Sequence, residues 1–255
     1  MSAPVERGPG SPGEAGEADL WLQVRRYLED LVAFEGPRFV APEAAPPVPA
    51  SAAVPPAGGP AGEDAGEGAP TERLEAFRLS ICECTACPLG RTRQRFVFGA
   101  GNPAADVLFV GEAPGADEDR QGEPFVGAAG QLLTRIIEAI QLRREEVYIC
   151  NVLKCRPPNN RDPLPEEVAT CEPYLKRQIE IIRPRIICAL GRHAAHCLLK
   201  TDLPMRELRG HLHQYEGIPV VVTYHPAALL RDTRYKRATW EDVKWLRREL
   251  DGVEL

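Results

Sequence analysis

Four short, mostly apolar runs, separated by stretches of helical periodicity, restrict this chain of 255 residues more than any other feature. They lie at 107–110, 147–152, 186–191 and 220–224. The first, 107–110, is apolar at every position, which suits a strand buried on both faces rather than on one. Between and around them, helical spacing predicts helices at about 71–80, 130–141, 165–182, up to about 199, and 238–250. Strands alternating with helices give a parallel sheet between helical layers. The expected fold class is therefore α/β: a three-layer α/β/α body with a central, mostly parallel four-stranded sheet. In such open sheets ligands gather at the carboxyl ends of the strands. The residues that end the runs are therefore the first place to look for function.

The first run ends in Gly111-Glu112-Ala113-Pro114-Gly115, where two glycines and a proline force a sharp turn. A phosphate cradle is excluded. The Lys and Ser/Thr of a Walker loop are missing, and so is G-x-G-x-x-G. Glu112, Asp117, Glu118 and Asp119 would also repel a pyrophosphate. What remains is a pocket with an acidic edge and an aromatic, Phe125, suited to a neutral or cationic planar group. A solvated acidic loop is the lesser alternative for this stretch taken alone.

Residues 1–70 carry 4 Lys and Arg against 11 Asp and Glu, leaving 27 against 26 in the remainder. The overall charge of −6 thus hides an acidic tail on a near-neutral body, and says little about partners. Pro, Ala and Gly dominate 37–70, a composition that reads as a semi-extended linker. Before it, Leu20, Val24, Leu28 and Leu31 mark an amphipathic helix at 19–35 within an otherwise disordered tail. A lone helix cannot bury its face, so it docks, dimerises or recruits a protein partner. The body is expected at 71–255. No run of about 18 apolar residues indicates a membrane span, and no secretory signal is evident.

Eight cysteines in a chain of this kind point to a reducing compartment, with metal binding or free thiols. Cys84 and Cys87 have the spacing that brings two thiolates to one metal centre, and Cys155 and Cys171 lie far along the chain. Four thiolates from separated segments can close a zinc site or hold an iron–sulfur cluster, and both remain open here. Cys150, Cys188 and Cys197 fall inside apolar elements and read as small buried hydrophobes.

Gly111-Glu112-Ala113-Pro114-Gly115, Pro124-Phe125-Val126-Gly127, Asn151, Lys154-Cys155-Arg156-Pro157-Pro158 and His225-Pro226, in that order and with this cysteine spacing, resemble the family 4 uracil-DNA glycosylases. The resemblance covers about 80–250. It implies hydrolysis of the N-glycosidic bond of uracil in DNA, with Cys84, Cys87, Cys155 and Cys171 ligating a structural 4Fe–4S cluster. The implied cycle flips the uracil nucleotide into a pocket. There Phe125 stacks on the base, Asn151 reads its edge, and Gly111, Glu112 and Ala113 line the other side. Glu118 matches the wall that excludes the thymine methyl, while Glu112 and His225 stabilise the transition state. Residues 226–231 resemble a minor-groove loop in which Leu229 or Leu230 fills the vacated stack. Lys154, Arg156, Arg161, Arg231, Arg234 and Lys236 are candidates for phosphate contacts. The resemblance further implies a monomeric body, uracil-containing DNA as partner, and a cytoplasmic, nucleoid-associated prokaryotic protein.

Three departures stand out. Ala227 follows His225-Pro226 where relatives often carry Ser. Cys82 is an extra thiol that could replace Cys84. No histidine occurs in 156–167, so turnover is expected rather than covalent trapping. Two other classes stay in view: a non-catalytic metal-stabilised DNA-binding module, and a zinc-bearing hydrolase of another small molecule.

Overall fold

A computed structural model describes residues 68–252. The candidate helix at 19–35 lies outside them, as does nearly all of the 1–70 tail. The strands are β1 Ala100–Gly101, β2 Val107–Gly111, β3 Tyr148–Asn151, β4 Ile186–Leu190, β5 Leu212–Tyr215 and β6 Ile218–Thr223. They form one sheet in the order β1-β3-β2-β4-β6-β5. The four expected runs are β2, β3, β4 and β6, and each pairs with its neighbour in parallel. The sheet nevertheless has six strands, not four, because β1 and β5 add antiparallel edges. Neither edge announces itself by an apolar run: β1 is two residues long, and β5 is largely exposed. A two-residue turn with positive φ at Glu216 (47°) and Gly217 (84°) joins β5 to β6, as the right-handed twist of a hairpin requires.

The helices are α1 Pro70–Ile81, α2 Ala116–Gln121, α3 Ala128–Ala139, α4 Pro165–Ile182, α5 Arg192–Leu199, α6 Met205–Leu208, α7 Pro226–Arg231 and α8 Tyr235–Asp251. Proline opens α1, α4 and α7, where its missing N–H has no partner to lose. Successive strand side chains point to opposite faces. Leu108 and Val110 accordingly share a core with Leu175 and Ile179 of α4 and with Ala194 and Leu198 of α5. Val107 and Phe109 share the opposite core with Leu133 and Ile137 of α3 and with Val243 and Leu246 of α8. Both faces are covered, which is why the central runs are apolar except at their carboxyl ends, Asn151 and Thr223.

Beyond β2, α2 and the turn that follows it swing Phe125 back over the strand end. Phe125 adopts a left-handed φ of 53°, a strained choice for a bulky side chain. Its carbonyl runs against Gly130 of α3, where a Cβ would lie 1.9 Å from the Phe125 oxygen. Gly130→Ala therefore cannot be accommodated without moving the Phe125 turn. It should destabilise the fold by about 2–3 kcal/mol, read as a fall of several degrees in thermal melting; an unchanged melting point would disprove the close approach.

Candidate active site

Parallel pairing delivers Gly111, Asn151 and Gly191 to one edge of the sheet, with His225 just past the end of β6. Backbone bonds lock the loops that follow: Val152 donates to the Gly111 carbonyl and Leu153 to the Glu112 carbonyl. A Cβ on Gly111 would fall 2.4 Å from Asn151 Oδ1 and 2.5 Å from Phe125 Cζ, so only glycine leaves room where those side chains converge. The Phe125 and His225 rings lie 5.5 Å apart between centroids, tilted by 32°. Three of the predicted pocket residues thus meet around Gly111.

Asn151 is 1% exposed, yet neither its Oδ1 nor its Nδ2 has a hydrogen-bond partner among the described residues. Leaving a buried polar group unpaired costs on the order of 1–3 kcal/mol. A side chain with one free acceptor and one free donor, held beside two aromatic rings, is set for a planar ligand with the complementary edge. His225 caps α7, its Nδ1 accepting from the Ala227 N–H at 3.1 Å. That bond leaves the ring proton on Nε2. Burial, with help from the Arg231 charge, pulls the His225 pKa down to about 4 against a weaker opposing effect of Glu118. His225 is therefore a neutral donor at ordinary pH.

The acidic stretch is not a solvated loop. Glu118 Oε1 accepts from the Val126 and Gly127 N–H groups at 2.9 and 3.0 Å, and Oε2 from Gly115 at 3.1 Å. It thereby staples both sides of the Phe125 turn into a fixed wall. Asp119 is buried and accepts from the backbone of Gln94 and Arg95. Glu112, at the end of β2, keeps a partly exposed carboxylate. Burial raises its pKa, opposed chiefly by His193, whose Nε2 lies 3.8 Å from Glu112 Oε2.

The thiols converge from three segments. Cys84 Sγ lies 3.1 Å from the Tyr174 hydroxyl. Arg93 donates to Cys155 Sγ at 3.4 Å and to the carbonyls of Cys84 and Cys82. Cys171 Sγ accepts from the Lys154 N–H at 3.3 Å. Burial raises the pKa of Cys155, and the charges of Cys87 and Cys84 add to it. Cys171 is pushed up to about 11, again by burial first, with Cys155 and Cys87 contributing. Cys82 points elsewhere, toward the Leu79 carbonyl. Among the described residues, the only trio of metal-ligating atoms within 4.8 Å of one another is Glu112, Asp162 and His193. The cysteine sulfurs form no such trio. A single tetrahedral zinc, with Zn–S bonds of about 2.3 Å, needs sulfurs closer than that, so the four thiols fit a larger polynuclear group better.

The DNA-contact candidates separate. Lys154 is fully buried and cannot meet a phosphate; its Nζ donates to the Asn151 carbonyl at 2.6 Å and to Gln178 Oε1 at 2.5 Å. Leu229 is 3% exposed, packed under α7, whereas Leu230 is 50% exposed. Only Leu230 is available to fill a stack. Arg161 is paired with the buried carboxylate of Glu167, Arg234 with Asp232, and Arg156 with the Asn160 side chain. Arg231 and Lys236 are exposed. The sequence reading missed His193, Asp162, Arg93 and Tyr174. His193 had a usable signal, since it follows the end of β4 by the same rule that singled out the other strand ends.

The family model described as the uracil DNA glycosylase superfamily matches residues 98–244, more than half of the chain. The type-4 uracil-DNA glycosylase of Archaeoglobus fulgidus is 48% identical over 181 residues, covering 68% of this chain and 91% of that protein. The type-4 enzyme of Thermotoga maritima is 45% identical over 177 residues, covering 68% and 92%. A type-5 uracil-DNA glycosylase of Thermus thermophilus is more distant, 32% identical over 157 residues, covering 49% and 71%. The family-model match spans every strand-end residue described above, and this chain belongs to the uracil-DNA glycosylase superfamily, in its type-4 family.

Proposed function

We propose that this chain removes uracil from DNA by hydrolysing its N-glycosidic bond, leaving free uracil and an abasic site for base-excision repair. The unpaired, buried Asn151 amide is the observation that carries the reading. Uracil offers N3–H as a donor and O4 as an acceptor on adjacent atoms, the complement of a carboxamide. The flipped base enters between Phe125 and the Gly111–Ala113 backbone, and stacking on the ring contributes about 1–3 kcal/mol. The Glu118-stapled wall leaves no give for a 5-methyl group, which sets uracil apart from thymine. As the bond breaks, the sugar gains oxocarbenium character and the base leaves as an anion. Glu112 stabilises the cation or orients the attacking water, and neutral His225 donates its Nε2 proton toward uracil O2. Leu230 fills the vacated stack while Arg231, Arg156 and Lys236 meet phosphates.

A 4Fe–4S cluster would be held by Cys84, Cys87, Cys155 and Cys171, and when bound it supplies a cross-link between separated segments. We assign the activity to residues 71–255. We take the body to act as a monomer, and eight cysteines suit a reducing, cytoplasmic location.

A fluorescent oligonucleotide carrying one deoxyuridine, incubated with the protein and then treated with alkali, should be cut at that position and not at thymidine. Binding without strand breaks would instead identify a non-catalytic DNA-binding module. Asn151→Ala should lower kcat/KM by about a hundredfold or more, while circular dichroism stays native; a loss of only a few-fold would remove Asn151 from base reading. Freshly purified protein should be brown, with absorbance near 400 nm. Bleaching the colour by oxidation should lower the melting temperature, whereas colourless protein containing stoichiometric zinc would refute the cluster.

A further inference from the structure

His193 lies in the first turn of α5, just past Gly191, where β4 reaches the same sheet edge as Glu112. Its Nε2 is 3.8 Å from Glu112 Oε2 and 3.2 Å from Asp162 Oδ2. Arg192 Nη2 lies 3.0 Å from Asp162 Oδ2 and 3.1 Å from the same imidazole nitrogen. One edge of the ring thus faces two carboxylates, one partly buried in the site and the other 70% exposed. We propose that His193 is a positioning residue for Glu112: its imidazolium, steered by Asp162, holds the Glu112 carboxylate ionised and aimed at the sugar. This rests on the reading of Glu112 given above.

The charges facing Glu112 fix the direction of the effect. Burial favours its protonated form, and the Asp162 carboxylate pushes the same way. His193 is the largest opposing charge, ahead of Arg192 on the same helix and Arg231 on α7. Glu112 works as an anion, so the acid limb of the pH–rate profile reports its protonation. His225 is not the origin of that limb near neutrality, because it remains neutral down to about pH 4. The charge that His193 sets against burial bears on the acid side of the profile, where the Glu112 carboxylate takes up its proton. Removing that positive charge leaves burial and Asp162 less opposed, so Glu112 takes up its proton at higher pH. On the alkaline side Glu112 is ionised with or without its neighbour, so the charge matters little there. The deficit of a His193 variant should therefore grow as pH falls, which a purely structural defect would not produce.

Single-turnover excision of uracil by the full-length, cluster-loaded protein, followed from pH 5 to 9, tests this. His193→Gln should move the acid limb upward by about one pH unit, a tenfold deficit at its foot, with melting temperature and 400 nm absorbance unchanged. His193→Lys, which restores a positive charge, should return the limb toward its wild-type position. A His193→Gln profile that is unchanged, or lowered equally at every pH, would overturn the inference, as would a failure of His193→Lys to correct it. Glu112→Gln separates the two levels. If that variant excises uracil at the wild-type rate, the role given to Glu112 fails, and the inference with it. If it is crippled at all pH while His193→Gln is wild-type in profile, only the inference fails.

Discussion

Parallel pairing of β3, β2, β4 and β6 is the constraint on which everything else depends. Parallel strands cannot be joined by hairpins, so each connection crosses a face of the sheet and brings a helix with it. Both faces become core, and every strand must end at the same edge. Gly111, Asn151, Gly191 and His225 are far apart in sequence and converge for that reason alone. The spatial order of the four strands also puts the first one inside, between the second and third. Ligands bind where strand connections diverge in this way, and Glu112 leaves the sheet from that inner strand.

The thiol set and the base pocket are not independent modules. The segment 151–155 is only five residues long, and it begins with the orphan amide and ends with a thiol. Within it the buried Lys154 ammonium ties the Asn151 carbonyl to Gln178 of α4, and Gln178 in turn donates to the Phe98 carbonyl. The Lys154 backbone N–H is given to Cys171, and its charge works against the burial that raises the Cys171 pKa. An uncompensated buried charge is costly. The two oxygens that accept from the ammonium, the Asn151 carbonyl and Gln178 Oε1, are what make a lysine tolerable there. Strain and unsatisfied polarity concentrate at the opposite end, in the left-handed Phe125 and the unpaired Asn151. Both are sustained by rigid surroundings, the Glu118 staple on one side and the β3 backbone on the other.

Much of the fold was legible because its signal is local. Apolar runs and helical spacing identified β2, β3, β4, β6 and the main helices, since double burial leaves few positions for a polar residue before the strand ends. The edge strands β1 and β5 escaped for the complementary reason: one face or one side stays wet, so apolar continuity is not required. Site residues at strand ends were equally readable, from Gly111 to His225. Lys154 and Leu229 were misread as DNA-facing because residue type predicts exposure only on average. Which of two adjacent leucines on α7 is buried, and whether a lysine finds internal acceptors, depends on neighbours distant in sequence.

The amino-acid sequence by itself determined the layer architecture, the strand ends that could carry chemistry and the four cysteines able to act together. These follow from periodicity and spacing, which are properties of a short stretch of chain. Only the tertiary structure decided that the Asn151 amide is left unpaired, that Glu118 is spent on backbone donors, and that His193 sits beside Glu112. Those outcomes are set by distances between segments that have no fixed relation until the sheet assembles.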